Sequence, residues 1–217
     1  MTITLRTYQG ASAEDRIQSR RQLLLDVAFE AMASGEWNAM SINQLCRLAE
    51  LNKRYFYESF ASLEDTAAAV IEDMSSRLIY IAFTTADEGS KAGLSSLQIA
   101  RKAMKEVVLY LTEDARRARV LFGEVAGNPL AKENRRKVID SLGKAVSSYG
   151  LKHYEAGGKT DPMAELVSSF LVGGTIEAVL NWLDGGIAMS REQLMEDMAT
   201  LWNVNGDAAA AIARERS

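Results

Sequence analysis

The sequence predicts an all-helical protein with a small N-terminal domain and a larger C-terminal one. The 217 residues include only 2 prolines, and apolar residues recur at helical spacing over long stretches. The chain has no internal repeat and no strand pattern. Because 47% of the residues are hydrophobic, it can bury a sizeable core. We expect about nine helices, with the first three forming a bundle that contains a helix-turn-helix.

The first helix is expected to begin near Ser12, which is a suitable N-cap. Its apolar stripe is Ile17, Leu24, Val27, Ala28 and Ala31, and Gly35 is a natural stop. The second helix opens with the capping box Ser41-x-x-Gln44. A turn at Glu50–Leu51 leads to Asn52, the N-cap of a third helix with core residues Phe56 and Phe60.

A long fourth helix follows Ser62-x-x-Asp65, so the domain boundary is expected near residue 65. Residues 1–65 form the N-terminal domain, with the helix-turn-helix at about 40–59, and residues 66–217 form the C-terminal domain. The later elements are expected as a loop at 87–93, a fifth helix at 95–112, a sixth at 113–126, a seventh at 129–154, an eighth at 162–183 and a ninth from Ser190, with a frayed tail after about residue 205. Asn128 and Asp161 stand before the two prolines as N-caps.

Composition excludes several classes of protein. With 1 Cys and 1 His, the chain has no intrachain disulfide, no Cys-rich or His-rich metal site and no plausible catalytic triad. It contains no phosphate-binding glycine loop. We therefore expect neither an enzyme nor a protein with a metal or cofactor. The absence of a signal peptide and the lone cysteine favour the cytoplasm.

No membrane association is expected either. The longest uncharged stretch, Leu166 to Ile176, is shorter than the about 20 residues that a transmembrane helix needs. The net charge is −4, but residues 1–60 contain 7 basic and 7 acidic residues, so the acidity lies in residues 61–217, with 18 basic and 22 acidic residues. Net charge therefore neither supports nor excludes DNA binding.

The third helix begins with residues suited to reading DNA. Arginine can bond to guanine, asparagine to adenine, and lysine and tyrosine to phosphates or bases. Lys53, Arg54 and Tyr55 occupy the N-terminal positions that recognition helices present to the major groove. A solvated charged surface beside an aromatic core is the simpler explanation of KRYFYESF. The two capped helices separated by a short turn favour DNA binding over it.

The chain resembles TetR-type transcriptional regulators at both ends. The segments SRRQLLLDVAFEAMASG and SINQLCRLAELNKRYFYESFASLED are similar to the family's N-terminal domain, with Leu51, Phe56, Tyr57 and Phe60 matching best. FLVGGTIEAVLNWLDGG and SREQLMEDMATLW are similar to its last two helices. Residues 85–160 match nothing specific. The resemblance implies that Ser41, Gln44 and Tyr57 contact phosphate and that Asn52, Lys53, Arg54 and Tyr55 include the base readers.

Three departures from the family pattern affect this expectation. Glu50 stands where glycine is usual in the turn, so the turn geometry is expected to change slightly. Leu63 replaces a lysine that usually contacts phosphate. Arg54 occupies a position that often holds a small residue, which predicts an unusual operator.

The resemblance also implies a dimer whose last two helices pair across a two-fold axis. The expected interface residues are apolar or small, namely Phe170, Gly173, Gly174, Leu183, Leu194, Met198 and Trp202. The middle helices of the family enclose a pocket for a small molecule. Its expected lining is Met74, Leu78, Met104, Val108, Tyr110, Phe122, Tyr149, His153, Phe170 and Trp182, although plain core packing is an alternative for each.

Together these features predict a cytoplasmic, homodimeric regulator that binds a palindromic operator in double-stranded DNA. The family resemblance implies a repressor, released by a small apolar or aromatic effector of unknown identity. The alternative is a helical protein–protein interaction module without specific DNA binding. Salt-dependent binding to DNA separates the two hypotheses.

Overall fold

The structure is a computed structural model that describes residues 12–123, 129–153 and 162–216. Within these ranges the chain forms nine α-helices, one short 3₁₀ helix and no strand, which confirms the expected fold class. The 3₁₀ helix is Trp37–Ala39. The α-helices are α1 (Ala13–Ala33), α2 (Ile42–Leu48), α3 (Lys53–Ser59), α4 (Leu63–Lys91), α5 (Ser96–Thr112), α6 (Ala115–Phe122), α7 (Pro129–His153), α8 (Pro162–Leu183) and α9 (Arg191–Glu215). The N-caps expected at Asn128 and Asp161 lie outside the described residues.

The chain divides into two compact units between Val70 and Ile71, inside α4. In the N-terminal unit, α1 packs against both α2 and α3, which also pack against each other. Their shared core includes Leu24, Leu45 and Phe56, none of which has any exposed surface. Phe60 closes this core at the end of α3 and lies 6.0 Å from Phe56, measured between ring centroids.

Side-chain caps set the beginnings of several helices. Ser12 and Asp15 form a complete capping box at α1, with each side chain bonded to the other residue's backbone N–H. These hydrogen bonds hold the pKa of Asp15 below its usual range. Ser95 and Gln98 form the same box at α5, and the Ser190 hydroxyl accepts from Gln193 N–H at 3.1 Å at α9.

Three helices differ in length from the sequence prediction. The expected loop at 87–93 is shorter, because α4 continues to Lys91, which forms an ion pair of 2.6 Å with Asp87 one turn earlier. Asp114 caps α6, so this helix begins at Ala115, later than expected. The expected frayed tail is helical instead: α9 extends to Glu215, and Ala209 is buried within the C-terminal unit.

The C-terminal unit is a bundle in which α5 packs on α9, α7 on α8, and α8 on α9. Its innermost residues include Val108, Leu111, Leu121 and Val179. Helix α8 is the most apolar element, and by length and composition alone it is long enough to cross a membrane. The sequence prediction rested on the longest uncharged stretch and did not identify α8 as a candidate membrane span. One such helix is weak evidence for membrane insertion, because core helices of soluble proteins pass the same test.

Candidate nucleic-acid interface and C-terminal cavity

The helix-turn-helix is built by local hydrogen bonds. The Ser41 hydroxyl accepts from Gln44 N–H at 3.2 Å and donates to Gln44 Oε1 at 3.1 Å, so only one half of the expected capping box forms. The Asn52 side chain accepts from Tyr55 N–H at 3.2 Å and begins α3 as predicted. These caps fix the start of both short helices without help from distant residues.

The turn between the two helices contains a residue in an unusual backbone conformation. Glu50 has φ 54°, the only positive value of φ at a non-glycine residue in the described ranges. Leu51 N–H donates to Cys46 O at 2.8 Å and Glu50 N–H to Arg47 O at 3.2 Å. This pair of bonds is a Schellman motif, in which the residue at the position of Glu50 is usually glycine. The turn therefore keeps its geometry despite the glutamate, at a conformational cost.

The predicted DNA-contacting residues lie together on this motif, and most of their side chains are open to solvent. Tyr55 alone is half-buried; the others, Ser41, Gln44, Asn52, Lys53, Arg54 and Tyr57, are exposed. The Arg54 side chain is 85% exposed. Phe56, between these residues, points into the core and packs edge-on against Tyr57 at 5.3 Å. One buried ring thus anchors a helix whose neighbouring positions are free to contact a partner.

Two further residues shape this surface and were not among the predicted DNA-contacting residues. Glu58 accepts from Arg54 and from Arg20 of α1, each at 3.2 Å. The Arg20 guanidinium also lies 4.1 Å above the Tyr55 ring, which explains why Tyr55 is half-buried. The Arg54–Glu58 spacing of four residues was readable from the sequence as a helical ion pair. The contribution of Arg20, 38 positions away from Glu58, was not.

The C-terminal unit contains an apolar cavity of about 260 Å³. Residues of α4 to α9 line it, and five of the predicted pocket residues are among them: Leu78, Met104, Phe122, Tyr149 and His153. Much of the remaining wall comes from residues that the prediction did not include, notably Phe83, Val107, Val146, Leu171, Ile176 and Ala210. Small residues near the C-terminal end of α9, in the segment that was expected to be a frayed tail, complete the cavity wall.

The other five predicted pocket residues lie elsewhere. Met74 and Val108 are buried in packed core. The Tyr110 hydroxyl donates to Met74 O at 3.4 Å, and burial raises its pKa. The indole N–H of Trp182 donates to Met189 O at 2.9 Å and holds the loop after α8. Phe170 is 65% exposed on the outer surface of α8.

Hydrogen bonds join four polar side chains of the cavity wall in two pairs. Ser96 Oγ lies 3.0 Å from His153 Nε2, and the Trp202 indole N–H donates to Thr175 Oγ1 at 2.8 Å. His153 also stacks on the Tyr149 ring at 5.7 Å. Burial, and to a lesser extent Asp87, raises the pKa of Tyr149. No lysine, arginine, aspartate or glutamate is among the lining residues in the part of the chain that the structure describes.

The structure separates the predicted interface residues into two groups. Phe170 and Gly174 are exposed on α8, with Gly173 and Leu183 half-buried. Leu194 and Met198 lie in the chain's own core, with 3% and 5% exposure, and Trp202 lines the cavity. The large apolar side chains that α8 and α9 do leave exposed include Leu166, Leu201 and Val204, which the prediction omitted. Helical spacing shows that apolar stripes exist, but it does not show which stripe a helix turns inward.

Within the described residues, no three His, Cys, Asp or Glu side chains are placed to bind a metal ion. The lone Cys46 is buried, and burial raises the pKa of its thiol. The chemistry of the molecule thus lies in the exposed α2–α3 residues, the apolar cavity and the apolar surface of α8 and α9.

No protein-family model matches the sequence, and no curated protein matches it. Solved structures of similar fold do exist. The fatty acid degradation regulator FadR from Bacillus halodurans is 15% identical with a TM-score of 0.67, and the match covers 85% of this chain and 94% of FadR. A TetR-family transcriptional regulator from Streptomyces coelicolor is 19% identical with a TM-score of 0.64, over 91% of this chain and 85% of that one.

A third structure was solved with a ligand. The transcriptional regulator FadR from Bacillus subtilis, in complex with stearoyl-CoA, is 14% identical with a TM-score of 0.64, over 85% of this chain and 98% of FadR. The chain therefore has the all-helical fold of TetR-type regulators along most of its length, as the sequence resemblance predicted. At these identities the likeness concerns the fold.

Proposed function

We propose that this protein is a cytoplasmic, homodimeric transcriptional regulator that binds a palindromic operator in double-stranded DNA. The observation that carries the proposal is the α2–α3 motif, a short, locally capped pair of helices with exposed Lys53, Arg54 and Tyr57 around a buried Phe56. The similar structures named as transcriptional regulators support it. Residues 1–65 are assigned to DNA binding and residues 66–217 to ligand binding and dimerisation.

In this proposal α3 enters the major groove with its N-terminal end leading. Asn52, Lys53, Arg54 and Tyr55 include the base readers, while Ser41, Gln44 and Tyr57 contact phosphates. To read a base, Arg54 must break its ion pair with Glu58 and form hydrogen bonds to the base edge instead. The Arg54–Glu58 pair is highly exposed at Arg54, and such pairs contribute only about 0–1 kcal/mol, so the exchange costs little.

Dimerisation is proposed through the outer surface of α8 and α9. Phe170 and Leu166 are about two-thirds exposed, and Leu201 and Val204 nearly as much. Leu166, Phe170 and Gly174 recur at four-residue spacing along α8, so they share one side of the helix. An isologous contact there would remove this apolar surface from water. It would also supply the two recognition helices, about 34 Å apart, that successive major grooves require.

A small apolar or aromatic effector is proposed to occupy the C-terminal cavity and release the protein from its operator, which makes the protein a repressor. The cavity has the apolar wall and the few polar groups that ligand sites share. An effector can act in this way only if it binds the DNA-free conformation more tightly than the DNA-bound one.

A gel-shift titration on random-sequence DNA at about 50 and 200 mM salt tests the DNA-binding proposal. Since each phosphate contact releases counterions, the affinity should fall steeply with salt. The alternative, a protein–protein interaction module, uses the same exposed surface of α8 and α9 but has no affinity for DNA. The absence of any shift at the lower salt concentration would therefore favour the alternative.

A further inference from the structure

Among the described residues, no lysine, arginine, aspartate or glutamate lines the cavity of the C-terminal unit. Its polar side chains are serine, threonine, tyrosine, histidine, tryptophan and asparagine. A carboxylate or phosphate enclosed there would lose its hydration without gaining a cationic partner from a lysine or arginine, which is strongly unfavourable. The wall therefore selects for neutral molecules.

Two polar atoms next to the cavity stand out from the rest. The Tyr149 hydroxyl and Asn203 Oδ1 are buried and have no hydrogen-bond partner. Asn203 uses its other side-chain atom, Nδ2, to donate to Asp207 at 2.9 Å. By contrast, Ser168 donates to Ala164 O at 2.6 Å and is satisfied within its own helix. Unpaired buried groups of this kind are rare and costly in folded proteins.

The two groups differ in what they can accept from a ligand. Asn203 Oδ1 is an acceptor only, so it needs an O–H or N–H donor. The Tyr149 hydroxyl can donate or accept, and burial keeps its pKa raised, so it stays protonated as a donor. Tyr149 is held in place by Phe83 at 5.5 Å and by His153, so its ring is packed on two sides.

The size of the cavity limits the ligand. If each non-hydrogen atom takes roughly the 30 Å³ of a water molecule in the liquid, about 260 Å³ holds about nine such atoms. A medium-length alkyl chain or a substituted benzene ring with one polar group fits this limit. The charged nucleotide of a coenzyme A ester fits neither this volume nor this uncharged wall.

We propose that the cavity binds a neutral, largely apolar molecule of about nine non-hydrogen atoms that carries a hydroxyl or amide group, held by a hydrogen bond to Tyr149 or Asn203. This inference rests on the proposed effector function and specifies the chemical class of the effector.

The test is calorimetric titration of the DNA-free protein at about pH 8, where a carboxylic acid such as octanoic acid is fully ionised. The probes are 1-octanol, octanoate and n-propylbenzene, which match the cavity in size and differ in polarity and charge. We expect 1-octanol to bind more than about tenfold more tightly than octanoate, because the carboxylate cannot be paired. Equal or tighter binding of octanoate, or saturable binding of none of the three, would overturn the proposal.

Two variants test the hydrogen bond. Tyr149→Phe keeps the stacked ring and removes the hydroxyl, and Asn203→Leu removes the acceptor at similar size. At least one of these substitutions should weaken the binding of 1-octanol roughly threefold to tenfold and leave the binding of n-propylbenzene unchanged. Retained n-propylbenzene binding shows that the cavity is intact. Unchanged 1-octanol affinity in both variants would overturn the assignment.

The same probes separate this inference from the proposed function. Ligand binding is measured without DNA, and operator release is measured afterwards by adding 1-octanol to the protein–DNA complex. Binding without release contradicts the effector role and leaves the ligand chemistry standing. Release by octanoate but not by 1-octanol contradicts the ligand chemistry.

Discussion

The two compact units differ in where their polar and apolar groups lie. The N-terminal unit has a closed core around Phe56 and exposes charged and aromatic side chains such as Arg54 and Tyr57. The C-terminal unit contains an apolar cavity beside the unpaired Tyr149 hydroxyl and exposes apolar side chains such as Phe170. The first arrangement suits a polyanionic partner, and the second suits apolar contact both inside and outside.

The largest effect is expected in the closed core. Phe56→Ala should lower the free energy of unfolding by about 3–5 kcal/mol, because the ring is fully buried and its removal leaves a cavity in the core. Phe122→Ala should cost less, since Phe122 already borders the cavity and makes fewer contacts on that side. Denaturant unfolding of both variants checks the order, and an equal or reversed order would contradict the contrast between the two cores.

The second-largest effect is expected from a substitution on the exposed apolar surface of α8. Phe170→Glu should raise the dimer dissociation constant more than about 100-fold, because a two-fold contact would bury the new charge twice. Light scattering at micromolar concentration measures the change. Tyr80→Glu is the matched control, since Tyr80 is 60% exposed on α4 and should leave the dimer intact. A wild-type monomer, or a dimer that tolerates Phe170→Glu, would count against this interface.

On the N-terminal unit, Arg54→Ala should weaken specific operator binding by about 1–3 kcal/mol and relax one base preference. Arg47→Ala is the control, because Arg47 is also exposed but lies on α2, outside the predicted readers. It should retain the base preference. A gel-shift titration in which Arg54→Ala binds the operator like the wild type would remove Arg54 from the readers.

The smallest effect concerns the turn. Glu50→Gly should stabilise the protein by about 0.5–1 kcal/mol, because relief of the left-handed strain outweighs the extra freedom of glycine in the unfolded chain. Gly35→Ala is the reciprocal control: it has φ 80° and open space around it, so it should destabilise by a similar amount. Thermal unfolding measures both, and a loss of stability in Glu50→Gly would show that the strain is small.

The same contrast explains what the sequence could predict. The caps Ser12, Ser41, Asn52 and Ser190 bond to atoms three residues away, so a local pattern determines them. For the same reason the helix-turn-helix and its exposed residues were predictable. The turn at Glu50 was expected to change slightly, whereas it keeps the left-handed conformation usual for glycine at this position, which glutamate itself does not signal.

The cavity and the outer surface were harder to predict, because they depend on contacts between distant residues. Ser96 and His153, which meet in the cavity wall, are 57 positions apart. The sequence could not show that Leu194 is buried whereas Leu201, two turns later on nearly the same side of α9, is exposed. Only the packing of α5 and α8 against α9 decides how far along the helix this apolar stripe is covered.

The central claim is that the exposed α2–α3 residues read DNA, and selection of bound sequences from a random pool of duplexes tests it most directly. The account predicts enrichment of one sequence with two inverted half-sites, about 10 base pairs or a multiple of that apart between their centres. It also predicts that Arg54→Ala selects a broader set at one position of each half-site. Failure to enrich any sequence, by a wild-type protein that is folded and dimeric, would contradict it.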